Sequence, residues 1–301
     1  HASLSRRRSA VRICSGSPKQ TFMTKNKITV GDITIVGVTD GSITFDPRIL
    51  FPKNSLEIWA QFYDRFPEYF SGKYFKNNLG SFIFTSKDKT IIADTGFGPN
   101  GLMLDSKPPG KLLENLKSNN INFSEITNVF ITHLHGDHFG WNFREDLPNR
   151  PITFPNAEYI IHKFDWDHYT NKENIDEDIL KKILPLESMN KLNLLSEEKE
   201  IAPGITAFHT PGHTPGHMSL LIASQNERAI LVGDIFGSPM HITETDLFYT
   251  PDWDQNMAKS TRKNIINLIE KDNSTIIGSH LSFPGWGKII RWKGKRYWKA
   301  L

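Results

Sequence analysis

Thr132-His133-Leu134-His135-Gly136-Asp137-His138 is the stretch on which the reading of this chain turns. It sets three imidazoles and a carboxylate within six residues, directly after the apolar run Val129-Phe130-Ile131, so it reads as a loop at the end of a strand. That density of polar groups is costly to bury unless they share a partner. Imidazole nitrogen and carboxylate oxygen suit zinc, iron, cobalt or manganese. Residues two apart on an extended segment turn to the same side. His133 and His135 can therefore share one ion, while Asp137 and His138, past the Gly136 bend, face a neighbouring one.

Further ligands have to come from downstream, and three candidates stand out. They are His213 in Thr210-Pro-Gly-His-Thr-Pro-Gly-His217, Asp234 after Ile230-Leu-Val-Gly233, and His280 after Ile276-Ile-Gly-Ser279. Each follows an apolar strand-like run, an arrangement that lets several loops meet at one sheet edge. His217 is expected to support a neighbour by hydrogen bonding and His209 to be structural. His162, His168 and His241 read as ordinary surface or core histidines.

Around these loops, alternation in Ile33–Val38, the Asp40-Gly41 turn and Ile43–Phe45 predict an opening antiparallel hairpin. Strands are expected at Gly80–Thr85, Thr90–Ala93, Asn128–Ile131, Glu158–Ile161, Ile205–Phe208, Met218–Ala223, Ala229–Val232, Thr275–Ile277 and Lys288–Trp292. Helices are expected at Lys111–Lys117, Phe164–Tyr169, Asp176–Ile183 and Gln255–Glu270. Two runs of strands with helices between them imply two sheets packed face to face with helices outside. The aromatic-rich insertion near 55–75, with Leu56, Trp59, Tyr63 and Phe66 at helical spacing, reads as an added core helix, a lid over a pocket or a homodimer contact.

The formal charge of +3 is carried by the amino-terminal stretch. Residues 1–28 hold seven basic side chains and no acidic one; removing these from the total of 36 leaves 29 against 33 acidic residues, a net of −4. The body is thus no polyanion binder by charge alone. Residues 1–27 are expected to be a disordered basic tail, of cloning origin if Met23 is the natural start, and 28–301 a single domain. The tail lacks the apolar middle of a secretory signal and no run is long enough for a membrane helix, so a cytoplasmic location is favoured. The single cysteine, Cys14, lies in that tail, away from the metal loops, which leaves disulfides and thiol catalysis out of the account.

The HxHxDH motif, the Pro-Gly-His loop, the later Gly-Asp and the final histidine, in this order, resemble the metallo-β-lactamase superfamily over about residues 28–295. Asp94-Thr-Gly96 resembles that family's turn beneath the site. Ser279-His-Leu-Ser-Phe-Pro-Gly-Trp-Gly287 resembles a segment of its methyl parathion hydrolase-like branch, which includes lactonases. The resemblance implies an αββα sandwich with two metal ions, zinc by preference. It assigns His133, His135 and His213 to the first ion, Asp137, His138 and His280 to the second, and Asp234 to the bridge.

It further implies hydrolysis of a lactone or ester, of the acyl-homoserine lactone or aryl ester type, by a hydroxide held between the metals, with Asp137 and Asp234 as catalytic carboxylates. Acyl-homoserine lactonases of the family often carry a tyrosine three residues past the bridging aspartate; here that position is Gly237, and Phe236 or Phe248 is the candidate to shape the pocket. Phosphotriester hydrolysis is the alternative, followed by β-lactam, glyoxalase-like thioester and RNA cleavage. The basic-aromatic stretch Lys288–Lys299 reads as a final strand more readily than as a nucleic-acid surface. A non-enzymatic metal or flavin scaffold is the third class, and it predicts bound metal without turnover.

Overall fold

The computed structural model describes residues 26–54, 56–100, 110–171 and 173–301. The basic tail expected at 1–27, with Cys14 and Met23, lies outside the described residues except for Asn26 and Lys27, and Lys27 already opens the first strand.

Two sheets form the centre. The first holds β1 (Lys27–Val30), β2 (Ile33–Phe45), β3 (Phe70–Ser71), β4 (Tyr74–Ser86), β5 (Lys89–Ala93), β6 (Asn128–Phe130), β7 (Glu158–His162) and β8 (Leu192–Leu195) in the order β1-β2-β4-β5-β6-β7-β8, with β3 beside β4. The second holds β9 (Lys199–Ala202), β10 (Ile205–His209), β11 (Met218–Ser224), β12 (Glu227–Leu231), β13 (Thr275–Ile277), β14 (Trp286–Trp292) and β15 (Lys295–Ala300), in reverse sequence order.

Side-chain alternation builds three apolar layers from these sheets. Phe82, Phe84, Ile91 and Ala93 face Leu220, Ile222, Leu231 and Ile277 across the interior. Their neighbours Ile83 and Ile92 turn outward onto Leu112 and Leu116 of the helix Leu112–Ser118. On the far side Ile230 and Ile276 meet Ile265, Ile266 and Ile269 of the helix Gln255–Asp272. Each such aliphatic side chain, fully buried, contributes roughly 1.5–3 kcal/mol. The result is the expected αββα sandwich.

The helix Gln255–Asp272 has legible ends. Asp254 caps its first turn by accepting from the amides of Asn256 and Met257, and Asn273 closes it in the left-handed region at φ 49°. Its buried residues Ala258, Arg262, Ile265, Ile266 and Ile269 form one stripe, which includes a buried arginine.

Direction matters most for function. Strands β5 to β8 are mutually parallel, β12 and β13 are parallel, and β10 runs the same way as β12 through two antiparallel pairings. The loops leaving β5, β6, β10, β12 and β13 therefore emerge at carboxyl ends of strands, where α/β folds gather ligands.

The opening of the chain differs from its prediction. Asp40-Gly41 is not a hairpin turn: β2 continues through it, with a register shift against β4 between Thr39 and Ser42. The cause is the Asp40 side chain, which is buried and accepts from the amides of Phe97 (2.8 Å), Gly98 (3.3 Å) and Leu112 (2.7 Å) and from the Trp141 indole (2.8 Å). A bulge turns this residue inward, and Gly96 at φ 64° gives it room, since a Cβ there would lie 2.5 Å from the carboxylate. Strands β1, β3, β8 and β9, too short for a clear alternation, and β15 were not anticipated as separate strands.

The aromatic segment forms the helix Leu56–Tyr63, a single turn at Pro67–Tyr69 and β3. Trp59, Phe62, Phe66, Tyr69 and Phe75 are buried in the outer core of the second sheet with Phe51 and Tyr249. Its buried face is therefore core, as the first of the three readings has it.

Asp40→Ala leaves three amides and an indole N–H without their acceptor. A loss of about 3–5 kcal/mol in urea unfolding is expected, and a change below about 1 kcal/mol would refute this account of the bulge.

Candidate metal centre

All seven candidate ligands leave strand ends on one rim: His133, His135, Asp137 and His138 after β6, His213 after β10, Asp234 in the turn after β12, and His280 after β13. Three nitrogens converge first. His135 Nδ1 lies 3.0 Å from both His133 Nε2 and His213 Nε2. A second group joins Asp137, His138 and His280, with Asp137 Oδ2 3.5 Å from the Nε2 atoms of both histidines. Asp234 spans the two. Its Oδ2 is 2.9 Å from His280 Nε2 and 3.4 Å from His213 Nε2, and its Oδ1 is 3.4 Å from His138 Nε2.

Partners behind four of the imidazoles decide which nitrogen faces the centre. His138 Nδ1 is 2.8 Å from Asp94 Oδ2 and His213 Nδ1 is 3.0 Å from Asp252 Oδ1. Carboxylates only accept, so both Nδ1 atoms carry the hydrogen and Nε2 is left as the donor of electrons. His280 Nδ1 donates to the carbonyl of Asn78 at 2.9 Å. The Thr132 hydroxyl donates to Asp94 Oδ2 (3.0 Å), which leaves its lone pair for His133 Nδ1 (3.0 Å). His217 plays the supporting part expected of it: its Nε2 accepts from the Asp234 amide at 3.1 Å, and its Nδ1 donates to Thr210.

These residues fit a pair of cations. His138 Nε2 and Asp234 Oδ1 are buried without a hydrogen-bond partner, a condition that is costly unless a proton or a metal cation lies between them. The 3.0 Å spacings in the trihistidine group approach the roughly 3.3 Å edge of a tetrahedron with zinc–nitrogen bonds of about 2.0 Å. No sulfur is present, and the nitrogen and oxygen set suits zinc, iron, cobalt or manganese alike.

The family profile of the metallo-beta-lactamase superfamily matches residues 81–280. The chain belongs to that superfamily. It is, with its relatives, a metal-dependent hydrolase. An N-acyl homoserine lactonase of a Bacillus species is 24% identical over 214 residues, which are 66% of this chain and 79% of that one. The N-acyl homoserine lactonase AiiA of Bacillus thuringiensis subsp. kurstaki is 23% identical over 69% of this chain and 83% of its own. Among solved structures, AidC, a dizinc quorum-quenching lactonase bound to a product, superposes with a TM-score of 0.77 at 24% identity, over 91% of this chain and 96% of its own. The hydrolase AbOPH gives 0.78 at 22% identity over the same shares.

Within this superfamily site, several contributors were not singled out from the sequence. Asp165 is buried and ties the two ligand loops together, accepting from Leu134 N (3.0 Å), Thr214 Oγ1 (2.8 Å) and Gly216 N (2.6 Å). Asp252 orients His213. Tyr249 stacks on the His213 ring at 5.7 Å and 21°. A Cβ on Gly237 would lie 2.4 Å from the Tyr249 ring and 2.7 Å from its hydroxyl, so glycine there is what admits Tyr249. Phe236, one of two aromatics expected to shape the pocket, is instead wholly buried in core, while Phe248 carries the Lys53 ammonium over its ring at 4.0 Å.

Other candidates take ordinary roles. His209 bonds the Pro215 carbonyl and stacks on His162, and His241 is buried against Phe51 and Tyr249. In the terminal β14–β15 hairpin Arg291 and Arg296 pair with Glu270, and Tyr297 and Trp298 are buried, the arrangement of a packed final strand. Among the described residues no helix is long and apolar enough to cross a membrane.

Electrostatics divide the ligands. Burial first, then neighbouring imidazoles, hold His133 and His135 well below the usual histidine range. Burial also acts against charge on His138 and His280, but Asp137 and Asp234 outweigh it, raising His138 well above that range and His280 to about 9. The metal-free chain thus keeps protons on these two histidines at neutral pH, and a metal binding there would have to displace them. Adding zinc to metal-free protein in weak buffer is expected to release more protons at pH 7 than at pH 10, as read by an indicator dye. Equal release at both values would contradict the assignment of His138 and His280.

Proposed function

We propose that this chain hydrolyses lactones or esters, of the N-acyl homoserine lactone or aryl ester type, at a centre of two zinc ions. The observation that carries the reading is Asp234, whose Oδ2 lies between His213 Nε2 of the trihistidine group (3.4 Å) and His280 Nε2 of the other (2.9 Å), while its Oδ1 faces His138 Nε2 (3.4 Å). The lactonase relatives support the choice of bond. His133, His135 and His213 would hold the first ion, Asp137, His138 and His280 the second, with Asp234 between them; iron, cobalt or manganese would suit the same donors. Such a pair, when bound, supplies Lewis acidity and lowers the pKa of a shared water toward ~7.

The protein's own residues do the rest. Asp137 is the open side of the carboxylate pair, its side chain 20% exposed against 4% for Asp234, so substrate enters over it. Asp234 orients the attacking water, and the two carboxylates carry its proton toward the leaving oxygen. Tyr249 supplies a donor for the substrate carbonyl, as polarisation of the carbonyl requires. In the metal-free chain burial, then the charges of Asp234 and Asp137, hold its phenol well above its ordinary range. A cavity of about 420 Å3 opens on the metal loop itself, lined by His135, Gly136, Phe139, Tyr169 and Ile179. It offers space for a substituent of the substrate, with Tyr169 as one wall.

An assay of an N-acyl homoserine lactone, an aryl ester, a phosphotriester, a β-lactam, a glutathione thioester and RNA on zinc-loaded protein tests this reading. The lactone or aryl ester is expected to give the highest kcat/KM, falling at least about a hundredfold in His135→Ala. Fastest turnover of the phosphotriester, consistent with glycine at 237, would replace the proposal, and an unchanged rate in His135→Ala would end it. Tyr249→Phe is expected to lower kcat about 10- to 100-fold at unchanged zinc content; an unchanged kcat would remove the phenol from the mechanism.

A further inference from the structure

A buried arginine stands behind the first trihistidine ligand group. Arg262 projects from the helix Gln255–Asp272 and is 1% exposed. An arginine cannot shed its charge in a protein, so its burial has to be matched by acceptors. Its Nε donates to the Ile235 carbonyl (2.9 Å), one Nη to the Thr245 carbonyl (3.0 Å), and the other Nη to Asp252 Oδ2 (3.1 Å). Two backbone carbonyls thus fix the plane of the guanidinium, and one arm remains for the carboxylate. Asp252 in turn holds His213 Nδ1 through its other oxygen at 3.0 Å. Asp252 is itself 7% exposed, with its carboxylate fully enclosed. Among the described residues no comparable cation backs the second group, whose His138 leans on Asp94 and His280 on a carbonyl.

We propose that Arg262 is a positioning residue for the first metal site, acting through Asp252 to hold the His213 ring at one angle with Nε2 toward the centre. This rests on the two-metal reading above. The guanidinium fixes the rotamer of Asp252, and a buried carboxylate without that partner would swing, releasing His213. Its influence is therefore expected at the trihistidine site and not at the Asp137–His138–His280 site.

The test is equilibrium zinc binding by the full chain against a chromophoric chelator, for the unaltered protein, Arg262→Lys, Asp252→Asn and the double variant. Ile266→Ala, a core change on the same helix, controls for lost stability, and thermal unfolding of each variant is followed in parallel. The unaltered protein is expected to bind two equivalents. Arg262→Lys is expected to weaken one equivalent about 10- to 100-fold and the other by less than about threefold. Asp252→Asn should do the same, the double variant should be no weaker than Asp252→Asn alone, and Ile266→Ala should bind both equivalents normally. Additive losses in the double variant, equal weakening of both equivalents, matching weakening in Ile266→Ala, or unchanged affinity in Arg262→Lys would each overturn the role given to Arg262. If Arg262→Lys does not fold, Asp252→Asn alone decides, and unchanged binding there overturns the proposal. An unaltered protein that binds no zinc would fail the two-metal reading itself, and the role of Arg262 with it.

Discussion

Five imidazoles and two carboxylates with their lone pairs turned toward a common centre make up the constraint on which the remaining architecture depends. In water such groups would be solvated separately; here five of the seven are buried and His135 and Asp137 are half-buried. Their mutual approach becomes favourable only when positive charge sits among them, as protons on His138 and His280 in the metal-free chain and as cations in the loaded one. The protein therefore has to supply the approach before the metal arrives. It does so by aligning strands from two sheets so that their carboxyl ends share one rim, and by fixing each ring from behind.

That second layer is where the chain's construction is most visible. Asp94 anchors three groups at once, accepting from the Thr132 amide and hydroxyl and from His138. It does so from a backbone at φ 59°, an unfavourable region for a residue with a side chain and one that surrounding structure must hold in place. Asp40 performs a similar service one layer out, drawing Phe97, Gly98, Leu112 and Trp141 onto a bulge of β2. Asp165 links the first and second ligand loops. Buried carboxylates that accept several amide hydrogens are thus the recurrent device by which this fold makes loops rigid.

Much of the site could be read in the sequence because its signals are local. Four candidate ligands fall in six residues, and the other three each follow an apolar run that ends a strand. The shorter central strands β5, β6, β7, β10, β11, β12 and β13 and the helix Gln255–Asp272 were legible for the same reason, since their periodicity is carried by neighbouring residues. What escaped notice depends on distant contact. Asp40-Gly41 has turn chemistry, and nothing nearby tells that the carboxylate will be claimed by amides more than fifty positions on. Tyr249 lies twelve residues beyond the glycine whose space it fills, and only the folded loop shows that the two meet. Asp252 and Arg262 are two charges among many until the helix cap at Asp254 fixes their register beside His213.

The account stands or falls on the number and placement of the metal ions. Crystals grown with zinc and measured on both sides of its absorption edge test it directly. Two anomalous peaks about 3.5–4 Å apart are expected, one within bonding distance of His133, His135 and His213 and the other of Asp137, His138 and His280, with Asp234 touching both. A single peak, or peaks away from these side chains, would contradict it.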